Sequence, residues 1–156
     1  MRIDDILALV ASREATLAVQ PTEGDGTPEI AWGDTFFYYA PNGSMPEATQ
    51  PFATIVTKDY PGDTDCRLDR PDAFRLNVAV GTEEFRACLG YGPRESNPTP
   101  QPVRDDTVIA HPTYASAGWV AVVNPGPATE YAVGELLHRA YVRAVAAHDR
   151  KAARKQ

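Results

Sequence analysis

Basic residues are scarce in this sequence, cysteines number only two, and no long hydrophobic run occurs. The 156 residues carry 15 Lys and Arg against 21 Asp and Glu, for a net charge of −6. Four of those bases, Arg150, Lys151, Arg154 and Lys155, crowd the last seven positions, so residues 1–149 hold 11 bases against 21 acids, a net −10. A body of that sign repels phosphates, whose binding draws on clustered Lys and Arg. Nucleic acid is therefore not expected as a partner of the folded part. The longest aliphatic and aromatic run, Trp119 to Val123, is far short of the ~20 residues a membrane helix needs. The start, Met1-Arg2-Ile3-Asp4-Asp5, lacks the basic opening and small-residue cleavage pattern of a signal peptide. Together these features lead us to expect a cytoplasmic protein without a membrane span. Cys66 and Cys88 stand too far apart for a Cys-x-x-Cys site, and read as buried or partly buried free thiols.

What the sequence does contain is the composition of an ordinary globular domain, 43% hydrophobic and 23% charged, at a length that supports one core without metals or disulfides. We read residues 1–149 as a single domain and 150–156 as a basic C-terminal tail. Ile3, Ile6, Leu7 and Val10 share one helical face, with Asp4 and Asp5 at the positive end of the helix dipole. Thr16 to Val19 reads as a short strand or an irregular link. Strands are expected over Thr35–Tyr39, Ala53–Thr57 and Phe74–Val80, the last with large apolar side chains alternating against Arg75, Asn77 and Ala79. A short helix follows from an N-cap at Thr82 to a stop at Gly90. Four prolines between 91 and 106 make that stretch an extended loop. Thr107–Ala110 and Gly118–Val123 are two further strands, and Val133, Leu137, Ala140, Tyr141, Ala144 and Val145 stripe a long helix running to about His148. The first connections are too short for parallel crossovers, so an antiparallel sheet packed by helices is expected. The fold class is two-layer α+β, in the order αβ3αβ2α.

Several of these segments carry a family likeness. Pro51-Phe52-Ala53-Thr54-Ile55-Val56, Phe74-Arg75-Leu76-Asn77-Val78 running into Glu83 to Leu89, then His111, Gly118-Trp119-Val120, and Glu135 to Tyr141 resemble the MmcQ/YjbR-like proteins over about residues 50–145. The resemblance implies the same two-layer α+β arrangement, and with it a DNA-binding role. Ala79, Val80 and Gly81 stand where that family carries a lysine, and Ala140-Tyr141 replaces its Ser-Tyr. The chain also resembles an actinobacterial family of this length without assigned function, in which His111-Pro112-Thr113-Tyr114 and Asn124-Pro125-Gly126-Pro127 have counterparts. That likeness implies a fold and no reaction.

Candidate chemistry is sparse. His111, between a strand end and Pro112 with Tyr114 and Trp119 nearby, is the residue best placed to act as a base or a ligand contact; the bland alternative is a strand-end cap bonded to backbone. No serine or cysteine is placed by sequence to pair with it as a nucleophile. Arg75 and Asn77 share a strand face that is solvated, lines an anion pocket, or meets a second subunit. Asp63, Asp65, Asp69 and Asp72 crowd one loop, yet Leu68 stands where a calcium loop needs glycine and Phe74 where it needs a bidentate glutamate. Glu135 and His138 share a helix face without the second pair a bundle metal site requires. Gly24 and Gly26 lack the flanking strand and helix of a phosphate loop. No metal and no cofactor is expected. The reading that follows is a non-catalytic domain that binds a protein partner or small ligand, with His111, Tyr114, Trp119, Arg75 and Asn77 as ligand-binding candidates and a homodimer through the open sheet face. A small hydrolase or isomerase around His111 is the alternative, and DNA binding the third.

Overall fold

The computed structural model describes residues 1–155. Nine residues, Ile3–Ala11, form α1, with Ile6 and Val10 as its buried stripe. The Asp5 carboxylate accepts from the Arg2 backbone N–H at 2.7 Å and closes the first turn. Six strands follow, β1 (Thr16–Val19), β2 (Thr35–Tyr39), β3 (Ala53–Val56), β4 (Arg75–Ala79), β5 (Val108–Ala110) and β6 (Trp119–Val123). Between β4 and β5 lies α2 (Gly81–Leu89), and α3 (Glu130–Arg154) ends the chain. All pairings are antiparallel, in the sheet order β1-β2-β3-β4-β6-β5. The two-layer α+β class holds. Thr16–Val19, open between strand and link from its sequence, pairs with β2 and makes the first run four strands long.

Period-two alternation splits each strand's residues between two faces. Register aligns them into rows. Thr35, Ile55, Leu76, Val122 and Val108 form one row, and Phe37, Ala53, Val78, Val120 and Ala110 the next. Against these rows pack Ile6 and Val10 of α1, Phe85 of α2, and Val133, Leu136, Leu137 and Ala140 of α3, all buried in one cluster. Each large apolar side chain so removed from water contributes about 1.5–3 kcal/mol, which explains why the helices settle on this face.

The far face carries the row Val19, Phe36, Thr54, Asn77, Ala121 and Ile109, and beside it Val56, Arg75 and Val123. Over β4 this face is closed, which corrects the expectation of an open one there. Residues 57–74 fold back across it, and Cys66 and Leu68 join Val56 and Val123 in a second, smaller core, leaving Arg75 and Asn77 each 2% exposed. Leu68 and Cys66 supply part of the reason, since their burial against Val56 and Val123 removes apolar surface from water and holds the loop on this face.

Smaller departures also have local causes. The N-cap of α2 is Val80 and the helix begins at Gly81, one residue ahead of Thr82. Gly90 ends it in the left-handed conformation, φ 82°, as a C-terminal glycine does. No fraying sets in at His148: α3 continues through Arg154, its last turns rich in Ala, Lys and Arg, all strong helix formers. The basic residues expected to form a tail are thus the end of this helix, with Gln156 outside the described residues. Cys88 is exposed on α2, whereas Cys66 is buried, and both are free thiols. No helix is long and apolar enough to cross a membrane among the described residues.

Candidate functional site

The antiparallel pairing of β4, β6 and β5 brings the five sequence candidates into one cluster. Arg75 rises from β4 on the far face, and Asn77 sits two residues along the same face. The Arg75 Nε donates to Asn77 Oδ1 at 2.7 Å, and Asn77 Nδ2 donates to Thr54 Oγ1 on β3 at 2.9 Å. Both ends of the guanidinium engage Asp63 from the covering loop, at 2.9 and 2.8 Å. This is the paired fork geometry that arginine makes with a carboxylate. Hydrogen bonding to Arg75 holds the Asp63 carboxyl below the usual carboxylate range, against the opposing effect of burial. Nη1 also approaches Cys66 Sγ at 3.5 Å.

His111 follows β5, where its backbone N–H donates to the Trp119 carbonyl at 3.1 Å. Its ring is buried, 3% exposed. Nδ1 accepts the backbone N–H groups of Thr113 and Tyr114, each at 3.0 Å. Two donors aimed at one nitrogen require a lone pair there, so the neutral ring carries its proton on Nε2. Burial, reinforced by the Arg75 charge and only partly opposed by Asp63, pulls the His111 pKa down to about 4, so the ring is neutral at pH 7. Its Nε2 lies 3.4 Å from Arg75 Nη2. Two N–H donors therefore face one another with no acceptor between them. Tyr114 lies against the imidazole, ring centres 4.9 Å apart, and Trp119 meets both rings at 6.2 and 6.5 Å. Tyr114 is 56% exposed and forms the outer wall.

Two further carboxylates, Asp34 and Asp106, belong to no motif of the sequence. Asp34, buried before β2, accepts from Thr57 N at 2.9 Å, Thr57 Oγ1 at 3.0 Å, Lys58 Nζ at 2.9 Å and the Tyr60 hydroxyl. Burial first, and then the Asp34 contact, push the Tyr60 phenol well above its ordinary value. This knot anchors the root of the covering loop. Asp106 caps the entrance to α3, accepting from the N–H groups of Gly126, Ala128 and Thr129 at 2.8 to 3.0 Å and from the Thr129 hydroxyl at 2.6 Å. An Asp before an apolar run can be suspected as a cap; that Asp106 would fasten the turn leading into a helix that begins at Glu130 could not.

The aspartate-rich loop is used differently from a metal site. Asp63 is taken by Arg75, and Asp59 accepts the Leu68 N–H at 2.9 Å. Arg70 of the loop pairs with Asp105 at 3.1 Å. Among the described residues, no three His, Cys, Asp or Glu side chains gather closely enough to hold a metal ion. Glu135 and His138 both lie on the exposed side of α3.

No curated protein and no solved structure matches the chain. A family model described as a family of unknown function, DUF6194, matches residues 1–153, and by that match the chain belongs to this family.

Proposed function

We propose that the chain is a binding domain whose ligand is a small anion, held where His111 and Arg75 meet under the Tyr114 and Trp119 rings. One observation carries the reading. His111 Nε2–H and Arg75 Nη2 are donors directed at one another across 3.4 Å. A single carboxylate or phosphate oxygen entering beside them accepts from both, relieving the clash of like dipoles. Asn77 orients Arg75 from below, and Tyr114, more than half exposed, is the side of the cluster that faces solvent.

Binding fits better than catalysis. A hydrolase or isomerase built on His111 needs the ring open to substrate, with a nitrogen free to take a proton. Here Nδ1 is occupied by two backbone donors, and the pKa near 4 makes the ring a weak base. The DNA-binding role implied by the YjbR-like resemblance needs a surface of exposed cations, and at this cluster Arg75 is buried, too deep for a duplex backbone to reach.

The test is a titration of the 15N-histidine-labelled protein with inorganic phosphate and with acetate. A saturable downfield shift of the His111 Nε2 proton is expected. His111→Asn keeps an oxygen acceptor near the Nδ1 position and removes the Nε2 donor, so it should fold normally and lose the binding. No shift at tens of millimolar anion, or equal binding by the variant, overturns the reading.

A further inference from the structure

A second concavity lies between α3 and the segment 46–52, lined by none of the five residues of the His111 cluster. Its volume is about 490 Å3, within the range of small-molecule sites. Its composition is unusual for this molecule. The lining contains Arg143, His148, Arg150 and Lys151 and no Asp or Glu, in a chain whose residues 1–149 carry a net −10. Among the described residues, Arg143, Arg150 and Lys151 have no carboxylate within 4.0 Å, although five Lys and Arg ion pairs form elsewhere. Lys151 Nζ reaches Glu47 only through its backbone carbonyl, at 3.3 Å, and Asp149 meets His148 at 3.4 Å.

Arg143 is positioned. Its Nη1 donates to the Ala79 carbonyl at 2.8 Å, and the guanidinium lies over Gly81, where a Cβ would stand 2.7 Å from Nε. Any other residue at 81 would displace it. The floor has short side chains, because Ala144 and Ala147 follow one another along one side of α3, with the buried Ala140 one turn before them. One wall is aromatic. Tyr39 meets His148 and Tyr141 edge-on at 5.2 and 5.8 Å, and Phe52 meets Tyr141 at 6.2 Å.

We propose that this groove binds a planar aromatic anion, an aryl ring bearing a carboxylate or phosphate. The ring lies on the alanine floor against Tyr39 and Phe52, where aromatic contacts favour a flat partner. Its charged group meets Arg143, Arg150 and Lys151, three cations that share this groove with no carboxylate within 4.0 Å among the described residues. An alkyl anion would gain the charge contacts and forgo the edge-to-face ones.

Isothermal titration of the full chain with 2-naphthoate, 2-naphthyl phosphate and the uncharged 2-naphthalenemethanol tests this. Saturable binding of one or both anions is expected, with the neutral analogue at least tenfold weaker. Backbone amide shifts should map to Tyr39, Phe52 and His148. Arg150→Gln/Lys151→Gln changes two exposed side chains without touching the core, and should weaken binding by about tenfold per cation removed. Ala144→Leu, which fills the floor, should abolish it. The proposal is overturned by no binding at millimolar ligand, by equal affinity for the neutral analogue, by indifference to both variants, or by a short DNA duplex competing for the same residues more tightly than either anion. His111→Asn leaves this binding unchanged, which separates the two sites.

Discussion

At the scale of single residues, His111 shows how a histidine can be poised by the donors around it. Its protonation costs more in the folded protein than in the unfolded chain, because the folded pKa is about 4 against about 6.5 unperturbed. Above pH 6.5 the ring is neutral in both states and titration contributes no difference. As pH falls from 6.5 towards 4, the unfolded chain gains a proton that the folded one does not, and stability declines. The loss is on the order of 3 kcal/mol by pH 4, where the folded ring protonates too. Asp63, held low by Arg75, adds a further loss in more acid solution as its carboxylate protonates. His111→Asn should flatten the decline between pH 6.5 and 4, measured as urea midpoints across that range; an unchanged slope would place the titration elsewhere. Type and neighbourhood of the five candidate residues were readable in the sequence, since His111, Tyr114 and Trp119 lie within nine positions of each other. The pairing of His111 with Arg75 was not, because it depends on β6 lying between β4 and β5.

Among elements, the junction of β4 with α2 is decided by glycine. The N–H groups of Val80 and Gly81 both donate to the Gly118 carbonyl at 3.0 Å, and the two glycines touch. A Cβ on Gly118 would stand 2.8 Å from the Gly81 Cα, at a residue whose φ is +82°. Gly118→Ala is therefore expected to cost about 2–4 kcal/mol, combining left-handed strain with a backbone clash. Gly90→Ala, at the same φ with open space around it, should cost only about 1 kcal/mol. Chemical denaturation of the two variants checks the difference, and equal losses would remove the role given to the close approach. From the sequence, Gly90 announces itself as a helix stop. Gly118 reads only as the start of the strand Gly118–Val123, since its partner is thirty-seven positions away. Strands β2 to β4 were readable because aromatic and β-branched runs sit between turn residues. The short β1 was ambiguous because four residues hold too few alternations to separate a strand from a link.

Taken whole, the molecule has two cores of unequal size on the two faces of one sheet. The smaller is a loop pinned at its root by Asp34 and near its middle by the Asp63–Arg75 pair, both of whose members are largely buried. Removing Asp63 leaves an uncompensated cation below, which costs about 3 kcal/mol or more. Asp63→Ala should therefore free residues 57–74 ahead of the sheet. Hydrogen exchange is expected to quicken at Leu68 while the amides of β4 and β6 stay protected. Uniform acceleration throughout would show that the loop and sheet open as one unit.

Local preference and hydrophobic period, acting over a few residues, gave this chain its helices, most of its strands, its antiparallel α+β class and the separation of an acidic body from a basic end. These forces are written in adjacent residues and need no partner to be read. Tertiary structure alone decided that residues 57–74 close the far face, that His111 faces Arg75 as donor to donor, and that the last basic residues sit along a helix beside an alanine floor and an aromatic wall. Each of those outcomes depends on which distant segments share a row of the sheet or a side of a helix, and that is fixed only when burial of the whole apolar surface selects one register.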